Sequence, residues 1–196
     1  MKDDPSKQPL ILASGSPYRA ELLERLELPF EVRPADIDES PQEDEAADRL
    51  AERLALAKAS ALAVTHPGRL VIGSDQVAVC RGRLLGKPGT RSKAIEQLAW
   101  CSGAEVVFHS ALALVRDARR VTRNVPTRVQ MRSLERERIE RYIDRDQPLD
   151  CAGAMKSESL GICLARAIES DDPTALIGLP LIALVDLLTE FGIELL

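Results

Sequence analysis

The sequence lacks the residues and spacings that build zinc sites or disulfide scaffolds. Its four cysteines stand at positions 80, 101, 151 and 163 with no C-x-x-C pair, and it has only two histidines. Zinc ligands at their usual spacing are therefore missing. Because 45% of the 196 residues are hydrophobic, the chain can bury a core of its own without disulfides. We interpret the cysteines as reduced thiols, which are typical of a cytoplasmic protein.

Long apolar runs and an excess of positive charge are also absent. The longest apolar stretch, residues 176–188, is interrupted by Gly178, Pro180 and Asp186, and the run at 9–13 is too short for the core of a signal peptide. We therefore predict a cytoplasmic location and no membrane partner. The 26 Lys and Arg residues against 31 Asp and Glu give a net charge of −5. That balance argues against a nucleic-acid partner but permits a small anion held by a few cations.

Lysine is scarce, with six lysines against twenty arginines. Ten of the arginines fall in residues 116–145, together with five acidic residues. This stretch contains one aromatic residue, Tyr142, whereas proteins that bind single strands interleave aromatics that stack on the bases. Its charges alternate along a predicted helix, so we interpret it as a solvated face rather than as an RNA-binding patch.

Strand and helix patterns alternate along the chain, which predicts an α/β fold. We assign residues 1–8 to an N-terminal tail and residues 9–196 to one domain. The buried strand at 70–73 is expected to end at Ser74, and Ser40-Pro41-Gln42-Glu43 fits a capping box that would begin a long helix. Strands are predicted at 9–13, 30–33, 70–73, 77–79, 105–115 and 121–131, and helices at about 17–26, 41–63, 91–100, 134–145 and 180–190.

The first candidate site is Ser14-Gly15-Ser16-Pro17-Tyr18-Arg19, where a short strand leads into the N-terminus of a helix. Ser16 suits the N-cap position and Pro17 the first helical turn. The free N–H groups there, with two hydroxyls and Arg19, would favour a phosphate. Ordinary helix capping produces the same pattern, and the motif alone favours that interpretation.

The second candidate is Asp75 in Gly73-Ser74-Asp75-Gln76, because ligands in open α/β folds bind beyond the carboxyl ends of strands. There it could bind Mg²⁺ or accept a proton from an attacking water. A turn aspartate that bonds its own backbone explains the motif equally well.

Two lysines stand among small residues. Gly86-Lys87-Pro88 differs from a Walker A loop in its glycine spacing and in having Pro88 where a hydroxyl should bind Mg²⁺, so it is not a P-loop. Lys156 and Glu158 are two positions apart and would share one face of an extended segment. Taken alone, each fits an ordinary surface lysine or ion pair.

The order of these motifs is more informative than any one of them. In chain order they are S-x-S-P-x-R, D-I-D-E, K-A, I-G-S-D-Q-V, G-K-P, S-G, A-G-x-x-K-S-E and G-L-P. This series resembles the Maf family of nucleotide pyrophosphatases over residues 10–192. The resemblance is greatest to the members that act on 7-methyl-GTP, since the pyrimidine-nucleotide members carry Thr in place of Gln76 and Gln in place of Glu158. One departure is Ala20, where the family usually has a second arginine.

The resemblance implies a two-lobed, ITPase-like domain with a central mixed sheet flanked by helices, and a homodimer. It implies hydrolysis of a small-molecule nucleotide between its α- and β-phosphates, a house-cleaning role, with Mg²⁺, Mn²⁺ or Co²⁺ as cofactor. Asp75 matches the family's proton acceptor, and the family's polar cleft residues are matched by Ser14, Arg19, Glu39, Lys58, Lys87 and Lys156. The positions that separate members by substrate are matched by Tyr18, Gln76 and Glu158. We assign Lys58 and Lys87 to catalysis, and we assign the phosphate cleft to Ser14, Ser16, Arg19, Glu39 and Lys156. Asp75 and Glu39 are the candidate metal ligands, and the sequence leaves open whether Asp75 acts as a base or as a metal ligand.

The chemistry of the base suggests how the substrate would be selected. A 7-methylguanine ring is cationic, and its Watson–Crick edge offers two N–H donors. Glu158 could accept both, and Tyr18 could offer an aromatic face to the cation. Two alternatives stay open: a pyrophosphatase for pyrimidine or other modified nucleotides, and a nucleotide- or RNA-binding regulator of cell division without turnover.

Overall fold

The computed structural model describes residues 9–196, so the predicted N-terminal tail at 1–8 lies outside the described residues. The strands are β1 Leu10–Leu12, β2 Phe30–Val32, β3 Val71–Cys80, β4 Arg83–Leu85, β5 Glu105–Arg116, β6 Arg119–Met131 and β7 Ala165–Ser170. The helices are α1 Pro17–Glu24, α2 Ala47–Ala63, α3 Arg91–Cys101, α4 Arg136–Asp146 and α5 Leu181–Glu190. None of the helices within 9–196 has the length and hydropathy needed to cross a membrane.

All seven of these strands belong to one mixed sheet. Its order is β2-β1-β3-β5-β6-β7, with β4 paired to β3. Strand β1 runs parallel to both β2 and β3, whereas the β3–β4 and β6–β7 pairs are antiparallel. The prediction of an α/β fold with a mixed sheet flanked by helices is confirmed. Strand β7 was not predicted, because five of its six residues are exposed and leave no apolar pattern.

The chain divides into two compact units. Unit 1 contains the residues up to Asp75, Ser110–Val125 and Asp172–Leu196, and unit 2 contains Gln76–His109 and Pro126–Asp171. The chain leaves unit 1 inside β3, between Asp75 and Gln76. Unit 1 has an apolar core formed by β1, β3, β5, α1 and α5, which includes Leu12, Leu23, Ile72, Leu114 and Leu184. Ala20, at the position where the family that the sequence resembles usually has a second arginine, is partly buried and packs against this core.

The prediction that the strand at 70–73 ends at Ser74 is wrong. Strand β3 continues to Cys80, so Asp75 lies in its middle. The polar residues at 74–76 suggested a turn, but the apolar residues at 77–79 continue the same strand. The neighbouring strand β1 ends at Leu12, which pairs with Ile72. Asp75 therefore still lies beyond the carboxyl end of a parallel neighbour, where side chains of an α/β sheet can meet a ligand.

Helix α2 begins at Ala47, so the predicted capping box at Ser40 is also wrong. The Ser40 N–H donates to Asp38 Oδ1 at 2.9 Å, and the Gln42 N–H donates to Glu45 Oε2 at 3.0 Å. Such short-range bonds between side chain and backbone compete with a helix for the same N–H groups. The residues from Ser40 to Glu45 consequently form a loop that leads into α2.

Candidate active site

The turn between β1 and α1 brings Ser14 and Arg19 together in unit 1. Ser14 is 5% exposed, and its Oγ accepts hydrogen bonds from the Ser16 N–H and from Arg19 Nη1, both at 3.2 Å. Ser16 is the N-cap and Pro17 opens the helix as predicted, but the Ser16 side chain makes no capping bond. The buried Ser14 hydroxyl therefore ties the turn to the first turn of α1.

Arg19 is held by two oxygens that are far apart in the sequence. Besides its bond to Ser14, its Nε donates to the Gly178 carbonyl at 2.9 Å. Burial lowers the pKa of Arg19, and the negative charges of Asp75 and Glu39 oppose that shift. A guanidinium remains charged in proteins in spite of such a shift. Arg19 therefore places a fixed positive charge beside the N-terminus of α1.

Gly73 allows helix α2 to lie directly on strand β3. A Cβ at this position would overlap the Ala55 carbonyl oxygen and would lie 2.8 Å from the Ala59 nitrogen. Both of these atoms belong to α2, so only glycine permits the approach. Lys58 precedes Ala59 on this helix, and Asp75 follows Gly73 by two residues on the strand. The missing side chain is thus what lets a lysine and an aspartate from different elements meet.

Lys58 lies between two carboxylates. Its Nζ is 2.6 Å from Asp75 Oδ1 and 2.7 Å from Glu39 Oε1. Lys58 and Asp75 are each 7% exposed, whereas the Glu39 side chain is 58% exposed. Removing one partner of a buried pair costs about 3–5 kcal/mol because an uncompensated charge is left behind. The Lys58–Asp75 pair is therefore bound firmly inside unit 1, and Glu39 lies on its exposed side.

The donor set suits a divalent cation. Magnesium and similar ions are bound in many enzymes by one or two carboxylates, with phosphate and water oxygens completing the coordination. Asp75 and Glu39 converge on one point, the Lys58 ammonium, and so supply two such carboxylates. Among residues 9–196, no three His, Cys, Asp or Glu side chains gather as a metal cage. These residues fit a cation that arrives with the substrate better than one held by protein alone.

The segment that carries Glu39 is anchored by Arg53, a residue that sequence reasoning missed. Arg53 Nη2 donates to the Ser40 carbonyl at 3.0 Å, and its Nε and Nη2 bind the two carboxylate oxygens of Glu45 at 2.6 and 2.8 Å. This bidentate contact lowers the pKa of Glu45 to about 2 and raises that of Arg53. The only signal in the sequence is a glutamate eight residues before an arginine, which is too common to be informative.

Lys87 belongs to unit 2 and lies on the loop after β4. The Gly86 carbonyl accepts hydrogen bonds from Gln97 Nε2 at 3.1 Å and from the Gly153 N–H at 3.4 Å. Helix α3 therefore fixes the loop backbone, and so does the segment around Gly153. The Lys87 residue itself is exposed, which leaves its ammonium accessible to an anion.

Lys156 and Glu158 lie in a turn of unit 2, so the expectation of a shared face on an extended segment does not hold. The Lys156 carbonyl accepts from the Ser159 N–H at 3.1 Å and from the Gly161 N–H at 3.0 Å. The Lys156 N–H donates to Tyr142 Oη at 3.0 Å, and a Cβ at Gly161 would overlap the Lys156 backbone. The backbone of Lys156 is therefore held in place, while Glu158 is exposed.

The predicted site residues fall into two sets. Unit 1 holds seven of the eleven, and unit 2 holds the other four. In unit 1, contacts and electrostatic interactions link five: Ser14, Arg19, Glu39, Lys58 and Asp75. The other two in unit 1 are Ser16 and Tyr18, which is half-buried on α1. The set in unit 2 is Gln76, Lys87, Lys156 and Glu158.

A mixed α/β sheet with a buried Lys–Asp pair, and with an arginine at a helix N-terminus, suits a protein that binds phosphorylated ligands. The chain belongs to the Maf family: residues 9–191 match the family model described as Maf-like protein. The resemblance noted in the sequence is thereby confirmed over nearly the whole chain.

Curated relatives match at least 95% of the chain. A protein of Aromatoleum aromaticum is 53% identical over 188 residues, which cover 95% of this chain and 97% of that protein. A protein of Pseudomonas aeruginosa is 53% identical over 188 residues, with 95% and 98% covered. One of Nitrosospira multiformis is 51% identical over 197 residues and is covered completely, as is this chain. All three relatives are named 7-methyl-GTP pyrophosphatase.

Proposed function

We propose that this protein is a nucleoside triphosphate pyrophosphatase that hydrolyses 7-methyl-GTP between its α- and β-phosphates. The products are 7-methyl-GMP and pyrophosphate, and the role is the removal of a modified nucleotide. The observation that carries the proposal is the buried Lys58–Asp75 pair, with Glu39 bound to the same ammonium and Arg19 within its electrostatic reach. Three relatives of at least 51% identity that bear this name support the same substrate here.

Asp75 is the proton acceptor in this proposal. Lys58 engages Oδ1 of Asp75 at 2.6 Å, and a carboxylate has a second oxygen with which to receive a proton. The attacking water gives its proton to Asp75 as its oxygen bonds to phosphorus. The anhydride bond between the α- and β-phosphates breaks, and pyrophosphate leaves with the bonding electrons. Burial of the Lys58–Asp75 pair keeps the acceptor in a single orientation.

Cations provide the rest of the catalysis, because phosphoryl transfer depends on charge neutralisation more than on covalent help. We assign Arg19, Lys87 and Lys156 to the phosphate oxygens, with hydroxyls from Ser14 and Ser16. Asp75 and Glu39 would hold a divalent cation, Mg²⁺, Mn²⁺ or Co²⁺, which supplies further neutralisation at those oxygens when it is bound.

Substrate selection is assigned to Tyr18, Gln76 and Glu158. Glu158 is exposed and carries the carboxylate that can accept both N–H donors of the guanine edge. Tyr18 offers an aromatic face to the cationic ring. A pyrimidine or differently modified nucleotide, the alternative substrate class, would bind the same cations through its phosphates. Its base would make different contacts with these three residues.

The test is product analysis with 7-methyl-GTP and each canonical nucleotide, under Mg²⁺ and under Mn²⁺. We expect pyrophosphate and monophosphate, with the highest kcat/KM on 7-methyl-GTP. A higher kcat/KM on a pyrimidine nucleotide would show that the proposed substrate is wrong and that the proposed reaction is right. No pyrophosphate from any nucleotide would refute the proposal. Light scattering on the same sample would test the homodimer that the resemblance implies.

Asp75→Asn should keep the fold and lower turnover at least about a hundredfold, the scale of a general base. Asp186→Asn, an exposed carboxylate on α5 of the same unit, is the matched control and should leave turnover unchanged. Near-normal turnover in folded Asp75→Asn would remove Asp75 from the mechanism.

A further inference from the structure

The N-terminus of α5 is capped by residues that precede it by several positions. Its N-cap residue, Pro180, brings no side-chain oxygen to the free N–H groups of the first turn. Asp172 Oδ2 accepts from the Ile182 N–H at 2.7 Å, and Thr174 Oγ1 accepts from the Leu181 N–H at 2.8 Å. Asp172 is 2% exposed, and a carboxylate is stabilised at this end of a helix. The two side chains thus fix where α5 begins.

Thr174 also closes the loop that leads to α5. Its hydroxyl lies 2.7 Å from Asp172 Oδ1 and 2.8 Å from the Leu179 carbonyl oxygen, and its one proton serves either acceptor. The Gly178 N–H donates to the Ala175 carbonyl at 3.0 Å and to the Thr174 carbonyl at 3.3 Å. The N–H of Gly178 is therefore held by backbone carbonyls, and the next residue, Leu179, is held by the Thr174 hydroxyl.

The Gly178 carbonyl is shared by both parts of the candidate active site in unit 1. It accepts from Arg19 Nε at 2.9 Å and from Ser74 Oγ at 3.0 Å. Ser74 is fully buried and immediately precedes Asp75. One backbone oxygen therefore sets the direction of the Arg19 guanidinium relative to the strand that carries Asp75.

We infer that Thr174 is a positioning residue: its hydroxyl binds the Leu179 carbonyl and the Leu181 N–H, and so holds the loop in which the Gly178 carbonyl orients Arg19 for the phosphates of the substrate. Thr174 acts through Gly178 and touches no reacting atom. The inference rests on the proposed function for the nucleotide involved, but the orientation of Arg19 matters for any polyphosphate ligand. Sequence reasoning missed this role, because the residues between Asp172 and α5 show no helix or strand pattern.

The experiment compares Thr174→Val, which keeps the shape and removes the hydroxyl, with Thr174→Ser, which keeps the hydroxyl. Two readouts are taken: kcat and KM on 7-methyl-GTP, and the affinity for inorganic pyrophosphate by calorimetry with Mg²⁺ present. We expect Thr174→Val to lower kcat/KM and pyrophosphate affinity by about tenfold, the scale of one hydrogen bond to a charged group. Thr174→Ser should remain within about twofold of the wild type. If the valine variant does not fold, Thr174→Cys takes its place as a weaker hydrogen-bonding group of similar size.

A double-mutant cycle with Arg19→Lys separates positioning from a general loss of stability. Lysine keeps the charge but lacks the Nε donor that binds Gly178. If Thr174 acts through Arg19, Thr174→Val should have little further effect on pyrophosphate affinity in the Arg19→Lys background. Additive losses would overturn the inference, as would equal behaviour of the valine and serine variants.

The two proposals fail in different ways. A wild-type protein that binds pyrophosphate in a Thr174-dependent manner but hydrolyses no nucleotide would refute the proposed function and support the inference. If the wild type hydrolyses 7-methyl-GTP and Thr174→Val has the same kcat/KM and pyrophosphate affinity, the proposed function is supported and the inference is refuted. Absence of pyrophosphate binding to the wild type would overturn the inference directly.

Discussion

Replacing Gly73 by alanine should separate Lys58 from Asp75 without altering either residue. The added Cβ would lie 2.8 Å from the Ala59 nitrogen and 2.9 Å from the Ala59 Cβ, and it would overlap the Ala55 carbonyl oxygen. Ordinary contacts of a Cβ begin at 3.4 Å. All three atoms belong to the rigid backbone or first side-chain carbon of α2, so no flexible side chain can move aside. The helix as a whole has to withdraw from β3.

The size of the effect follows from these distances. To relieve the Ala59 contacts alone, α2 must move by about half an ångström, and the Ala55 overlap demands more. Overpacking of this kind costs about 1–3 kcal/mol. A displacement of about 1 Å at a catalytic group can lower the rate by about a hundredfold. The Lys58 Nζ–Asp75 Oδ1 distance of 2.6 Å would lengthen by a similar amount, and the ammonium would no longer orient the proton acceptor.

The assay combines a thermal melt with turnover of 7-methyl-GTP. A loss of 1–3 kcal/mol in a chain of this size lowers Tm by between about 2 and 12 °C. Gly86→Ala is the matched control for stability, since a Cβ there meets nothing within 4 Å and no positive φ is involved. We expect both Tm and kcat to be lower in Gly73→Ala than in the wild type, and the Tm of Gly86→Ala to equal that of the wild type. Unchanged Tm and kcat in Gly73→Ala would refute the argument that this glycine sets the approach of α2.

Two further predictions concern single carboxylates. Glu158→Gln should lower kcat/KM more on 7-methyl-GTP than on UTP, because only the guanine edge offers two donors to a carboxylate; equal losses in a parallel assay of both nucleotides would contradict that role. Glu45 has its pKa lowered from 4.5 to about 2 by Arg53, so its contribution to stability is complete above about pH 4.5 and is lost as the pH falls towards 2. Urea unfolding of wild type and Glu45→Gln should therefore converge in stability across that interval, and a constant difference would show that the Arg53 contact does not control this titration.

Local signals were enough to predict most of the elements in unit 1. The apolar run before Ser14 gave β1, and Ser16-Pro17 placed the start of α1 correctly. In unit 2, the helix predicted at 91–100 is present as α3, whose N-cap Thr90 accepts from the Lys93 N–H. Each of these features depends on residues within four positions of one another, which is why single-sequence reasoning could find them.

Features that depend on distant residues escaped that reasoning. The start of α2 is delayed because Glu45 bonds Arg53 and the Gln42 backbone, and β3 continues past Asp75 although polar residues interrupt its pattern. The Gly178 carbonyl meets Arg19 across 159 positions of the chain. Local motifs raised the candidates around Ser14, Asp75, Lys87 and Lys156, and the family resemblance added Glu39 and Lys58 and assigned the roles. Their mutual geometry, such as Gly73 admitting α2, required the structure.

The charges of the candidate site in unit 1 explain why its proposed substrate needs further cations. Arg19 and Lys58 carry two positive charges, and Asp75 and Glu39 carry two negative ones, so the group is neutral as a whole. Because Lys58 lies 2.6 and 2.7 Å from the two carboxylates, its charge is already compensated, and only Arg19 is available to a polyphosphate. Asp75 and Glu39 would hold a divalent cation, which would supply the positive charge that this neutral group lacks. Of the six lysines of this acidic chain, Lys58 therefore offsets carboxylate charge within unit 1 and does not add to the positive charge that a polyphosphate would meet there.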